Sequence, residues 1–362
     1  IETADVALVK NKDRHIAETR FLRAIAYFDL VRIFGDVPMI TKQISVEEAY
    51  KTGRQKVDQI YDEVIVKDLM VAETSLPVSY TGADVGRPTK GAAKAMLGKV
   101  YLTRKDFVKA EDKLQEVTTM GYALLPDYKD LFDYSKNEHH KEYIFDIEYE
   151  EGIGEGSSIT NAFTPQFTPI ADVFGIKGTL GDNNAPPPHL FNLFEPTDTR
   201  RDITVVQGGI RDRNGNFVKL PSQTQQSFTL KYMTSVPSGN DSKANWKVIR
   251  YADVLLMYAE ALNENGKTSE ALGFLNQVRA RAKAPVYSGL GQADTREKIY
   301  LERRLELSSE GQRWFDLVRT GRALTVMAPY GMKPYMTVFP IPLNQLQIIN
   351  DRSVFPQNPG YE

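Results

Sequence analysis

Tyr258-Ala259-Glu260-Ala261-Leu262, followed by Gly266 and Ala271, is the stretch whose pattern organises the chain. Its counterpart is Leu97-Gly98-Lys99-Val100-Tyr101, followed by a break at Lys105-Asp106 and then by Phe107 and Ala110. In both, a large apolar or aromatic residue precedes a small one, a second stands four positions after the first, and Ala stands thirteen after it. This is the tetratricopeptide pattern of L-G-x-x-Y and a later Ala. Small residues let two antiparallel helices approach, and larger ones fill the groove between them. Two such hairpins imply a mainly α protein on a tetratricopeptide-like repeat scaffold. A repeat this degenerate implies by itself only a helical interaction frame.

Helical spacing extends outward from both hairpins. Phe21, Ile25, Phe28 and Val31 share one face, and Gly35 stops that run. The spacing predicts helices over 57–76, from Thr89 onward, and from Phe107 to Gly121, with Thr89 as an N-cap. In the second half it predicts helices over 248–263, 268–282 and 296–317, then a Pro-rich, irregular tail. The middle is different material. Residues 151–245 hold 10 of the 25 Gly and 8 of the 19 Pro. They read as loops and short strands inserted into a helical frame of residues 1–150 and 246–362, the whole forming one domain.

Composition excludes several functions. Lys+Arg number 45 against 47 Asp+Glu in 362 residues, a net charge of −2, without the cationic excess that neutralises nucleic-acid phosphates. With no Cys there is no disulfide, thiolate metal site or Cys nucleophile in these residues. No apolar run is long enough to span a bilayer.

Local motifs resolve into structural features. Glu138-His139-His140-Lys141-Glu142 has adjacent histidines that face apart and no third ligand at metal-binding spacing, so it reads as a charged turn. Asp212-Arg213-Asn214-Gly215-Asn216 begins like a calcium loop. It has Phe217 where the loop needs Gly and Gln223 where it needs Glu, and reads as a hairpin turn. Gly152-Ile153-Gly154-Glu155-Gly156 lacks phosphate-loop spacing. No metal, cofactor or catalytic group is expected, although a carboxylate pair of the glycosidase kind is not marked out or dismissed by inspection. The densest charge pattern is Glu302, Arg303, Arg304 and Glu306, then Arg313 and Asp316. With Arg250 and Asp253, these balanced charges read as partly buried ion pairs locking the last helices, with an anion site as the alternative.

Longer blocks carry a family likeness. Arg20-Phe21-Leu22-Arg23-Ala24-Ile25-Ala26-Tyr27-Phe28-Asp29-Leu30-Val31 with Phe34-Gly35-Asp36-Val37-Pro38 resembles the leading motif of the SusD/RagB family. So does Gly86-Arg87-Pro88-Thr89-Lys90-Gly91, and the stretch from Arg250 to Asn263 is similar to the family's central helix. The 302–319 block and the ending Gln357-Asn358-Pro359-Gly360-Tyr361 complete the set in family order. The resemblance implies a SusD-like fold and an outer-membrane, cell-surface lipoprotein. Such a protein binds oligosaccharide or another nutrient and pairs with a SusC-like TonB-dependent transporter. It also implies a signal and a lipidated Cys ahead of the first motif. Neither is among the roughly twenty residues before Phe21, and the N-terminal segment is therefore expected to be missing.

A sugar site needs aromatic platforms beside hydrogen-bonding side chains on loops of fixed geometry. The middle segment offers Phe163, Phe167, Phe174, Tyr232 and Trp246, interleaved with Asn161, Asp182, Asn183, Asn184 and His189. Phe191 and Phe194 flank leucines and are expected in the core. The expected function is non-catalytic glycan capture. The alternatives are a tetratricopeptide-type adaptor for a protein segment and, after it, a glycoside hydrolase.

Overall fold

Helix Lys12–Phe34 buries Phe21, Ala24, Phe28 and Val31 on one stripe and stops at Gly35, whose φ of 70° places it in the left-handed region. The computed structural model describes residues 9–136, 138–212, 214–221 and 227–361. Readings placed above on residues 1–8, Arg213 and Gln223 lie outside them.

The chain forms two compact units, one of residues up to 80, 87–105 and 314 onward, the other of 81–86 and 106–313. In the first, the opening helix packs on a helix spanning 57–75 that carries one π-turn at Tyr61–Ile65. The third helix, Lys90–Thr103, is capped as expected: the Thr89 hydroxyl accepts from the Ala92 amide at 3.2 Å. Arg32 lies between the rings of Phe28 and Phe315, 3.7 and 3.9 Å from their centroids. The C-terminal tail is tied down by backbone bonds, among them Phe339 N–H to the Ile33 carbonyl at 2.7 Å. It contains two short α-helices, Ala323–Met327 and Leu343–Ile349.

In the second unit, helix Tyr251–Glu264 is buried on nearly every face. It packs against Phe107–Thr118, Thr268–Arg281 and Gln292–Glu306. It forms an antiparallel hairpin with Thr268–Arg281 through a three-residue turn in which Gly266 takes φ 81°. Here the small positions Ala259 and Ala271 are fully buried, as the repeat requires. Among the described residues the strands are short and pair in three antiparallel two-stranded sheets: β1 (Tyr143–Ile147) with β6 (Trp246–Arg250), β2 (Val206–Gln207) with β5 (Ser227–Phe228), and β3 (Gly209–Arg211) with β4 (Phe217–Lys219). The β3–β4 turn is the expected hairpin. Gly215 has φ 84°, and the Asp212 carboxylate accepts from the Asn214 and Asn216 amides at 2.8 Å each.

Two helix expectations need correction. Residues 248–250 are strand, not helix, because Trp246–Arg250 pairs with β1 before the helix begins at Tyr251. The predicted helix over 296–317 is two helices, Gln292–Glu306 and Arg313–Arg319. Ser309 and Gly311 both have positive φ, and the Gly311 position faces the Trp246 ring so closely that a Cβ there would lie 2.8 Å from it.

Candidate ligand-binding site

The loop-rich segment is anchored to the helices of its unit by buried charge. Arg250 stands at the end of β6, where its guanidinium donates to Glu142 at 2.9 Å and to Glu310 at 2.8 and 2.9 Å, and it also binds Glu306. Arg281 bonds Glu142 at 3.0 Å and pairs with Glu306. From the inserted segment, Arg200 forks onto Asp198 at 2.9 and 2.6 Å and reaches Glu306 at 2.8 Å and Glu302 at 2.6 Å. Arg279 bonds Glu302 at 2.7 Å. Lys231 donates to Glu310 at 2.7 Å and to the Ser308 carbonyl at 2.6 Å. Five cations thus meet five carboxylates, and all ten side chains are buried. Burial alone would raise the Glu306 carboxyl, but Arg281, Arg250 and Arg200 outweigh it and hold the group well below the usual range. Glu310 is lowered in the same way by Arg250 and Lys231. Burial pushes the Lys231 ammonium down to about 8 against the pull of Glu310.

Arg250, Glu302 and Glu306 therefore belong to this cluster, and Arg303 with Asp253 forms a separate buried pair at 2.7 Å. Three other predicted members remain. Arg304 donates to His189 Nε2 at 3.0 Å, Asp316 pairs with Arg319 at 2.8 Å, and Arg313 is only half-buried. Glu142, Asp198, Arg200, Lys231, Arg279, Arg281 and Glu310 were not expected there.

The predicted ligand residues divide. Tyr232 is 0% exposed, stacked on Trp246 at 5.7 Å and met edge-on by Phe163 at 5.4 Å, so these rings form core. Asn161, 1% exposed, spends its amide on the Lys177 and Thr179 carbonyls and the Asn240 amide. Neither Tyr232 nor Asn161 can face a ligand. Phe167 is half-buried against Ile170 and Phe228. Phe194 is core as expected, and Phe191 lies under Arg201, whose guanidinium is 4.7 Å from the ring centroid. The 182–184 loop is pinned by Asp182 and Asn183 amides to the Thr164 and Ala162 carbonyls. Burial raises the Asp182 carboxyl, and the Asn184 amide reaches the Ser309 carbonyl at 3.3 Å.

Phe174 and His189 do line clefts, one each, and the β3–β4 hairpin contributes residues to both. The first cleft, about 560 Å³, is walled by Phe174, Val173 and Val218, with Asp172, Asp212 and Ser235 as polar groups. The second, about 700 Å³, is walled by Pro188, Leu220 and Pro221 and carries His189, Asn192, Gln207 and Lys219. Both fall within the size range of small-molecule sites, roughly 300–1,000 Å³. Strand alternation in β4 sends Val218 to one and Lys219 to the other. Asn192 and Lys219 were missed because one sits among apolar neighbours and the other in a three-residue strand. Among the described residues, no group of three or more His, Asp or Glu side chains is placed to hold a metal ion. His139 bonds Glu148 at 2.7 Å, and His140 is pushed down to about 4 by burial.

Residues 222–361 match the family described as "SusD family", and residues 4–102 match the one described as "Starch-binding associating with outer membrane". SusD-like protein P2 of Formosa agariphila is 30% identical over 95% of this chain and 74% of its own length. The starch-binding protein SusD of Bacteroides thetaiotaomicron is 25% identical over 96% of this chain and 73% of its own. Among solved structures, a laminarin-binding SusD-like protein superposes with a TM-score of 0.84 at 32% identity, covering 99% of this chain and 81% of that one.

Proposed function

The chain belongs to the SusD/RagB family, and from that premise we propose that it is a non-catalytic cell-surface protein that captures an oligosaccharide. Residues 151–245 supply the binding loops and the flanks supply the frame of one domain. A lipid anchor holds the protein at the outer membrane, and the glycan passes to a SusC-like TonB-dependent transporter. The observation that carries this is the 32% identity, over 99% of the chain, to a protein that binds laminarin. The two clefts beside the β3–β4 hairpin support it, since they are built from loops whose backbone is pinned and whose polar side chains face solvent.

Isothermal titration against a panel of polysaccharides tests the proposal. Saturable binding of at least one glycan without release of new reducing ends is expected. No glycan binding, with clear binding of peptides, would replace it by the adaptor alternative.

A further inference from the structure

The two clefts differ in charge. Among the described residues, which leave out Arg213, the first is lined by two carboxylates, Asp172 and Asp212, and by no cation. The second is lined by Lys219 and His189 and, among the described residues, by no carboxylate. Lys219 is exposed and forms no ion pair with any described residue, so its ammonium is available to a ligand. Asn192, also exposed, makes no side-chain hydrogen bond within the described residues. Arg304 donates to His189 Nε2 at 3.0 Å, which leaves Nδ1 as the protonated nitrogen and a second donor on the ring. Gln207 is fixed at the rim by its own bond to the Pro188 carbonyl at 3.1 Å. Ammonium, imidazole N–H and carboxamide N–H thus gather in a cleft of about 700 Å³ with apolar walls at Leu220 and Pro221. Donors without a competing carboxylate suit an anionic acceptor, because a charge-assisted hydrogen bond is about twice as strong as a neutral one.

We infer that the cleft bearing His189, Asn192 and Lys219 binds the acid group of a charged oligosaccharide, a uronate carboxylate or a sulfate ester. The inference rests on the glycan-capture reading and narrows it to an acidic glycan. The described side chains of the other cleft, Asp172 and Asp212 among them, offer such a group no counter-charge.

The test is titration of the protein at low and high salt with three probes: neutral laminarin oligosaccharides, oligogalacturonates and iota-carrageenan oligosaccharides. One acidic set is expected to bind about tenfold more tightly than laminarin at low salt, and to weaken as salt rises. Which of the two binds tells carboxylate from sulfate. Lys219→Gln should weaken that binding about tenfold, whereas Asp172→Asn on the other cleft should not. Lys219 lies on an exposed hairpin, and a thermal melt checks that the variant folds. Laminarin binding as tightly as both acidic sets would overturn the inference and leave glycan capture standing. Acidic binding indifferent to Lys219→Gln would overturn the placement. Failure of every glycan would remove the capture reading itself, and this inference with it.

Discussion

Arg250 and Lys219 carry the same charge into opposite settings. Arg250 is 2% exposed and shares its guanidinium among three carboxylates, while Lys219 lies in the open beside a cleft with no described partner. Charges removed from water must be matched, and a matched buried cluster gains less stability than it gains definition, because desolvation offsets much of the attraction. The cluster thereby specifies one arrangement of the inserted segment on its helices. Charges left in water cost little unpaired and remain available for recognition. The frame of the second unit is held by paired buried charge, and the cleft proposed above for recognition carries exposed charge without a described partner.

The largest break in this contrast is expected at Glu306→Ala. It leaves Arg200, Arg250 and Arg281 each short of a partner at full burial, and should cost about 3–5 kcal/mol in urea unfolding. A loss below about 1 kcal/mol would mean the cluster tolerates gaps as a surface network does. Acid provides the same break without mutation. Glu306 and Glu310 have folded pKa values below the ordinary 4.5, so their contribution is complete above that value and is lost as pH falls through their folded pKa values. Unfolding midpoints measured downward from pH 6 should stay level and then drop below about 4.5, and Glu306→Ala should flatten that drop. Gly311→Ala tests the turn that ends the helix before the cluster's last carboxylate. A φ of 74° and a Cβ 2.8 Å from Trp246 should together cost about 1–3 kcal/mol in the same assay. The smallest effect belongs to the other side of the comparison: Lys219→Gln should change unfolding free energy by less than about 0.5 kcal/mol.

The same contrast governs what could be seen in the sequence. Phe21 to Val31 and the Tyr258–Ala271 pattern are local, with apolar residues recurring within one or two turns, and both helices appear where the spacing puts them. The ion cluster joins residues up to 139 positions apart, Glu142 to Arg281, and a charge says nothing of its distant partner. Of the expected members, Glu302 and Glu306 share one turn of Gln292–Glu306 and were legible together with Arg250, whereas Arg279 and Arg281, on another helix, were not. Residues 248–250 were read as helix because their strand partner is roughly a hundred residues upstream in β1. The interruption at Ser309–Gly311 did have a signal, the glycine, but the charged periodicity on either side of it masked it. Among the candidate ligand residues, aromatic type was a poor guide: Tyr232 went to the core, whereas the two clefts are set by a β-strand's alternation at Val218 and Lys219.

Hydrogen exchange with and without a bound oligosaccharide measures frame and recognition face in one experiment. Slow exchange throughout Tyr251–Glu264 and Gln292–Glu306 in both states is expected, with new protection on binding confined to residues 168–175, 188–192 and 207–221. Ligand protection along the Tyr251–Glu264 and Thr268–Arg281 hairpin instead, with the inserted loops unchanged, would contradict it.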